Sequence, residues 1–88
     1  MEPDKPHYVY LLRCGDGTYY CGYTVDITAR IAAHATGRGA RYTRGRGPLE
    51  LVYSEVYRDR SEALRREAEI KRLGRREKMA LIGRSHAG

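Results

Sequence analysis

A glycine-bracketed turn between two tyrosine-rich runs constrains this chain more than any other feature. Tyr8 to Cys14 is rich in Tyr, Val and Leu, and Thr18 to Tyr23 carries three further Tyr. Gly15-Asp16-Gly17 between them is a turn signal, so residues 8–23 are expected to form a β-hairpin. Loop length then decides which side chains share a face. A two-residue Asp-Gly turn sets Tyr10 opposite Tyr23 and puts Tyr20 on the other face. A three-residue loop, a type I turn closing with Gly17 in a left-handed bulge, sets Tyr10 opposite Gly22 and Leu12 opposite Tyr20. The residues permit both. We expect the three-residue loop, because it projects Tyr10 and Tyr20 from one face, where they can act together.

Downstream, Asp26 is a suitable N-cap for a helix reaching about Thr36. Ile27, Ile31 and Ala35 form its apolar stripe, and Arg30 and His34 stack one turn apart on an adjoining stripe. Gly37 ends it. Leu49 to Tyr57 reads as a third strand, with Leu51, Tyr53 and Glu55 on one face. Asp59 and Glu62 resemble a capping box for a second long helix, which runs to about Leu73 before Gly74 interrupts it. A shorter helix follows from Arg75 to Ile82. The expected order is β-β-α-β-α-α. This is an α+β domain: a small three-stranded, mostly antiparallel sheet flanked by helices. Residues 1–6 are expected to be a loose lead-in, 7–83 the domain and 84–88 a loose tail. There is no internal repeat.

The chain has 88 residues, enough for one domain with a thin core. It contains no Phe or Trp, so eight Tyr supply the aromatic bulk, each with a hydroxyl that needs a partner. Net charge is +6, and fourteen of seventeen basic residues are Arg. Arg favours planar, bidentate contact with phosphate, and the charge is clustered as well as large. Gly37 to Pro48 packs four Arg and four Gly into twelve residues. Such a segment cannot build a core and is either a phosphate-gripping loop or a plain Arg/Gly linker. Arg38, Arg41, Arg44 and Arg46 would hold a nucleic-acid backbone, Tyr42 would stack on a base or ribose, and Lys71 would add a further contact. Two Cys without a signal peptide suit free thiols in the cytoplasm. No stretch approaches the ~20 apolar residues of a membrane span.

The polar residues suit phosphodiester chemistry. Glu67 lies mid-helix between Ala63 and Ile70, so it points inward, where a bare carboxylate is costly. It either pairs with Arg30 or Lys71, or holds a hydrated Mg²⁺ or Mn²⁺, which needs only one or two protein carboxylates. Tyr10 and Tyr20 either fill the sheet face or orient and deprotonate an attacking water. Arg30 and His34 either form a solvated helix face or clamp a phosphate oxygen and relay a proton. Zinc is not expected, because no second His or Cys stands at ligand spacing from His34.

Taken in order, these residues resemble the GIY-YIG nuclease family over roughly residues 7–83. Tyr8-Val9-Tyr10 stands for the first signature triplet and Tyr20-Cys21-Gly22 for the second. Arg30 and His34 match an Arg-x-x-x-His arrangement, and Glu67 followed by Lys71 matches the helical Glu. Gly37–Ala40 is similar to a loop of the small standalone bacterial branch. Tyr8 replaces the first signature Gly, Val9 and Cys21 replace the central Ile residues, and the chain has no Asn. The resemblance implies one divalent ion on Glu67, Tyr20 as general base, Tyr10 close to the nucleophilic water, and Arg30 stabilising the transition state. It implies DNA cleavage leaving 5′-phosphate and 3′-hydroxyl ends, by a cytoplasmic monomer or weak homodimer that serves repair. A weakly active nucleic-acid-binding module, acting on RNA or assisting a partner, is the alternative.

Overall fold

The computed structural model describes residues 5–36 and 47–86. Strands β1 (His7–Arg13) and β2 (Tyr19–Thr24) lead into helix α1 (Ile27–Ala35). Strand β3 (Glu50–Tyr57) and helices α2 (Arg60–Lys71) and α3 (Arg75–His86) complete the expected order. The sheet runs β2-β1-β3 and both pairings are antiparallel.

The hairpin closes with the three-residue loop. The Cys14 N–H donates to the Thr18 carbonyl at 2.8 Å and the Gly17 N–H to the Cys14 carbonyl at 2.9 Å. Gly17 has φ +84°, a left-handed backbone that a side chain would disfavour. Tyr10 therefore faces Gly22, and Leu12 faces Tyr20.

Alternation along β1 gives the sheet two different faces. Val9 and Leu11, with Cys21 from β2, meet Ala63 and Ile70 of α2 in the main core, and Leu73, Leu81 and Ile82 pack against it. Tyr10 and Leu12 point the other way and are equally buried. The third strand departs from simple alternation. Its register against β1 shifts between Leu11 and Leu12, which pair with Tyr53 and Leu51 and leave Val52 as the extra residue. Val52 and Tyr53 both pack on the core, whereas Leu51 lies opposite Leu12 and is exposed. Leu51 therefore does not share a face with Tyr53 and Glu55, as strict alternation predicts.

Helix α1 is capped by the Asp26 carboxylate, which accepts from the Ala29 N–H. Its inward stripe is Ile27, Ile31 and His34 rather than Ile27, Ile31 and Ala35, for Ala35 is exposed and His34 is buried. Asp59 caps α2 by accepting from the Ser61 N–H. Helix α3 continues through Gly83 to His86, past the expected end at Ile82, because a single glycine lowers helix propensity without stopping it. Cys14 and Cys21 are buried free thiols. No helix of the described residues is long and apolar enough to cross a membrane.

A half-buried network joins β3 to α2. The Glu55 carboxylate accepts a two-pronged bond from Arg66, at 2.9 Å from Nε and 3.0 Å from Nη2. The Tyr53 hydroxyl donates to one of its oxygens, and the Tyr57 hydroxyl donates to the other at 2.5 Å. Burial pushes Glu55 up, but the Arg66 fork and the two phenols outweigh it and hold the carboxyl below its usual range. Tyr57 is pushed up to about 12 by burial and by this bond. Breaking such a pair strands the partner left behind, so Glu55→Ala is expected to cost about 2–3 kcal/mol in urea denaturation. Arg66→Ala should cost a similar amount, and the double variant well under the sum of the two.

Candidate active site

Tyr10 is the centre of the second face. Its ring lies across Gly22, where an added Cβ would stand 2.5 Å from Tyr10 Cζ. No residue but glycine fits beneath it. The Tyr10 side chain is 1% exposed, and its hydroxyl is 3.0 Å from Nε2 of His34, itself 3% exposed. A phenol is the better donor and a neutral imidazole nitrogen the better acceptor, so the hydroxyl donates.

Tyr20 completes an aromatic triad. Its ring centroid is 6.3 Å from that of Tyr10 and 5.4 Å from that of His34, with the rings tilted or edge-on. Of the three rings only Tyr20 is half exposed. Burial pushes the Tyr10 phenol well up, with smaller contributions from Tyr20 and Glu67, against which Arg30 acts. Burial also raises Tyr20, and Glu67 adds to the rise, while Lys71 and Arg30 oppose it. Burial and then the Arg30 charge lower His34, keeping the imidazole neutral near pH 7.

Glu67 lies on α2 beside the outer edge of β2. The Cys21 thiol donates a weak bond to its backbone carbonyl at 3.8 Å. Burial, followed by the Glu67 charge, pushes that thiol up to about 12, so it stays protonated. The Glu67 carboxylate is 3.5 Å from Lys71 Nζ, with the Glu67 side chain 18% exposed and that of Lys71 54%. The Lys71 pair expected as the alternative to a metal is thus formed. Arg30 is exposed on α1, and its charge acts on Tyr10, Tyr20 and His34.

Tyr10, Tyr20, Arg30, His34 and Glu67 are therefore one electrostatic neighbourhood, although they come from four elements. The Tyr10 hydroxyl is buried between Gly22 and His34. Arg38, Arg41, Tyr42, Arg44 and Arg46 lie outside the described residues. Among the described residues no three His, Cys, Asp or Glu side chains gather as a metal-binding group. One half-buried carboxylate, that of Glu67, is a donor that fits a largely hydrated hard ion and does not fit zinc. Sequence reasoning missed the Glu55–Arg66 network and the seat that Gly22 makes for Tyr10. The Tyr53-x-Glu55-x-Tyr57 spacing was a signal for the first. The glycine of the second triplet, set opposite Tyr10, was a signal for the second.

In this basic α+β domain, two tyrosines, a histidine and a helical glutamate are thus brought together from β1, β2, α1 and α2. Residues 6–80 match the GIY-YIG catalytic domain. The chain is 53% identical over 76 residues to UPF0213 protein BH0048 of Halalkalibacterium halodurans, covering 86% of this chain and 81% of that one. It is also 53% identical over 76 residues to UPF0213 protein VNG_2274C of Halobacterium salinarum, covering 86% and 99%. Among solved structures it is similar to the solution structure of protein EF2693 from E. faecalis, with TM-score 0.66 and 39% identity over 100% of this chain and 94% of that one. The solution structure of UPF0213 protein BH0048 from Bacillus halodurans gives TM-score 0.59 and 51% identity, covering 89% and 83%. The chain therefore belongs to the GIY-YIG family, as a small domain of the UPF0213 group. Nucleases of this family generally act on DNA and use a divalent metal.

Two outcomes follow from the buried triad. Gly22→Ala should cost about 2 kcal/mol by overpacking Tyr10, measured by chemical denaturation. Combining it with Tyr10→Ala should cost less than the two changes added. Because folding lowers the His34 pKa, the unfolded chain takes up a proton first as pH falls. The stability tied to His34 is then complete above its ordinary value of about 6.5 and is lost as pH drops through the window below it. His34→Gln should flatten that part of the Tm–pH profile.

Proposed function

We propose that the chain is a metal-dependent endonuclease that hydrolyses DNA phosphodiester bonds at the Tyr20–Glu67 edge of β2. One observation carries this: Tyr20, the partly exposed ring of the triad, packs on Tyr10 and His34 and lines one open cleft with Lys71, whose Nζ is 3.5 Å from the Glu67 carboxylate.

Tyr20 is the group positioned to meet a water and a scissile phosphate. Its phenol would orient the water and, once added positive charge had driven its own proton to solvent, would accept the water's proton as phenolate. Arg30, exposed one turn before His34, would hold a non-bridging phosphate oxygen and offset charge developing there. Tyr10 and His34 are too buried to touch substrate. They act as positioning residues: His34 accepts from Tyr10 and ties α1, and with it Arg30, to the sheet. Glu67 would hold Mg²⁺ or Mn²⁺ once Lys71 swings aside, which its exposure permits. A divalent ion there would supply Lewis-acid stabilisation of phosphoryl oxygens and acidify water.

A second reading, a nucleic-acid-binding module with little chemistry, is favoured by both phenols being raised, since neither is a ready base. Nicking of plasmid and synthetic DNA junctions in Mg²⁺ or Mn²⁺ separates the two. The nuclease reading expects Glu67→Ala to lose cleavage while retaining DNA binding, and Tyr20→Phe to slow cleavage by about 10²-fold. Binding without cleavage in the unaltered protein would leave the second reading.

A further inference from the structure

An open cleft of about 310 Å³ wraps the outer edge of β2, lined by Tyr19, Tyr20, Cys21, Lys71 and Lys78. Tyr19 and Tyr20 are consecutive on a strand and point to opposite faces, so the cleft passes around the edge of the sheet. One end is the half-exposed phenol of the proposed site. The other lies toward α3, where Lys78 stands close enough for its charge to act on the Cys21 thiol. Residues 71–78 hold five cations against one acid, Glu77, and the Glu77 carboxylate accepts from the Gly74 N–H at 3.2 Å. The wall is braced rather than loose. Arg75 Nη1 donates to the Gly17 carbonyl at 2.6 Å, and its guanidinium lies 5.7 Å from the centre of the Tyr19 ring. Arg75 is thereby committed to holding the hairpin turn and Tyr19, which leaves Lys71 and Lys78 as the cations lining the cleft.

We propose that this cleft is a second phosphate subsite, which takes the backbone of a single DNA strand next to the linkage held at Tyr20. The inference rests on the nuclease or binding readings above, since both require a nucleic acid on this face. Lysine is a compact point charge and suits phosphate contact without base readout. A strand crossing the β2 edge would set one phosphate at Tyr20 and a neighbouring one between Lys71 and Lys78. The subsite lies on the side of the sheet edge away from Arg30, so it would fix the direction in which the strand crosses the site.

The test measures binding of a fluorescent single-stranded oligonucleotide to the full chain, with chelator present and cleavage silent, across a salt series. Lys78→Ala should weaken binding by about fivefold and flatten the log K against log salt slope by about 0.7, the share of one phosphate on a single strand. Lys78→Glu should weaken it further. Arg58→Ala, beyond the end of β3 on the opposite edge, should leave affinity unchanged. If the oligonucleotide binds but Lys78→Ala matches the unaltered protein, or Arg58→Ala does equal damage, the subsite is refuted and the readings above stand. If the unaltered chain binds duplex or junction DNA but not the oligonucleotide, the subsite alone is refuted, and if it binds none of them, the readings above fall with it. Circular dichroism melting of each variant keeps a folding defect from passing as a binding defect.

Discussion

The seating of the Tyr10 ring on Gly22 is the contact from which the rest of the second face is built. A bare backbone at Gly22 lets a large ring lie flat against β2 and carry its hydroxyl out to His34. That bond anchors α1 to a sheet it otherwise meets sparingly. The register that makes it possible is set a few residues away, where Gly17 adopts a left-handed conformation and closes a three-residue loop. A slip of one residue would turn every side chain of β2 to the opposite face, separating Tyr20 from Tyr10 and sending Cys21 out of the core.

The two faces of the sheet have different tasks, and α2 connects them. Ala63 and Ile70 are fully buried against Val9 and Leu11, so α2 is fixed by apolar packing. Glu67 is carried by the same helix, and the position of its carboxylate beside the sheet edge is a consequence of that packing. Bonding to Cys21 through its backbone carbonyl and the Glu55–Arg66 fork on the far side restrict the helix further. The Glu67 carboxylate at the edge is thus placed largely by contacts that the rest of its helix makes with the sheet.

Positive charge in this chain is divided by task rather than spread evenly. Arg66 is taken up by Glu55, and Arg75 by the hairpin turn and Tyr19. Arg30 is exposed yet acts on all three rings of the triad. Lys71 is paired with Glu67 but mostly exposed, the condition of a cation that can exchange one anionic partner for another. A count of basic residues therefore overstates how many can meet a phosphate.

Local chemistry made much of this protein legible from its residues: the glycine turn, the Asp26 and Asp59 caps and the element order. Each depends on neighbours along the chain, where backbone sterics and period decide. The sequence alone did not determine that His34, rather than Ala35, faces inward, because an imidazole is tolerated inside only if a partner such as Tyr10 meets it. The extra residue at Val52, the Glu55–Arg66 fork and the sealing of Tyr10 away from solvent were likewise decided by the tertiary structure. Register shifts, long-range bonds and burial are set by contacts between segments distant in the chain, and no local pattern encodes which partner will arrive.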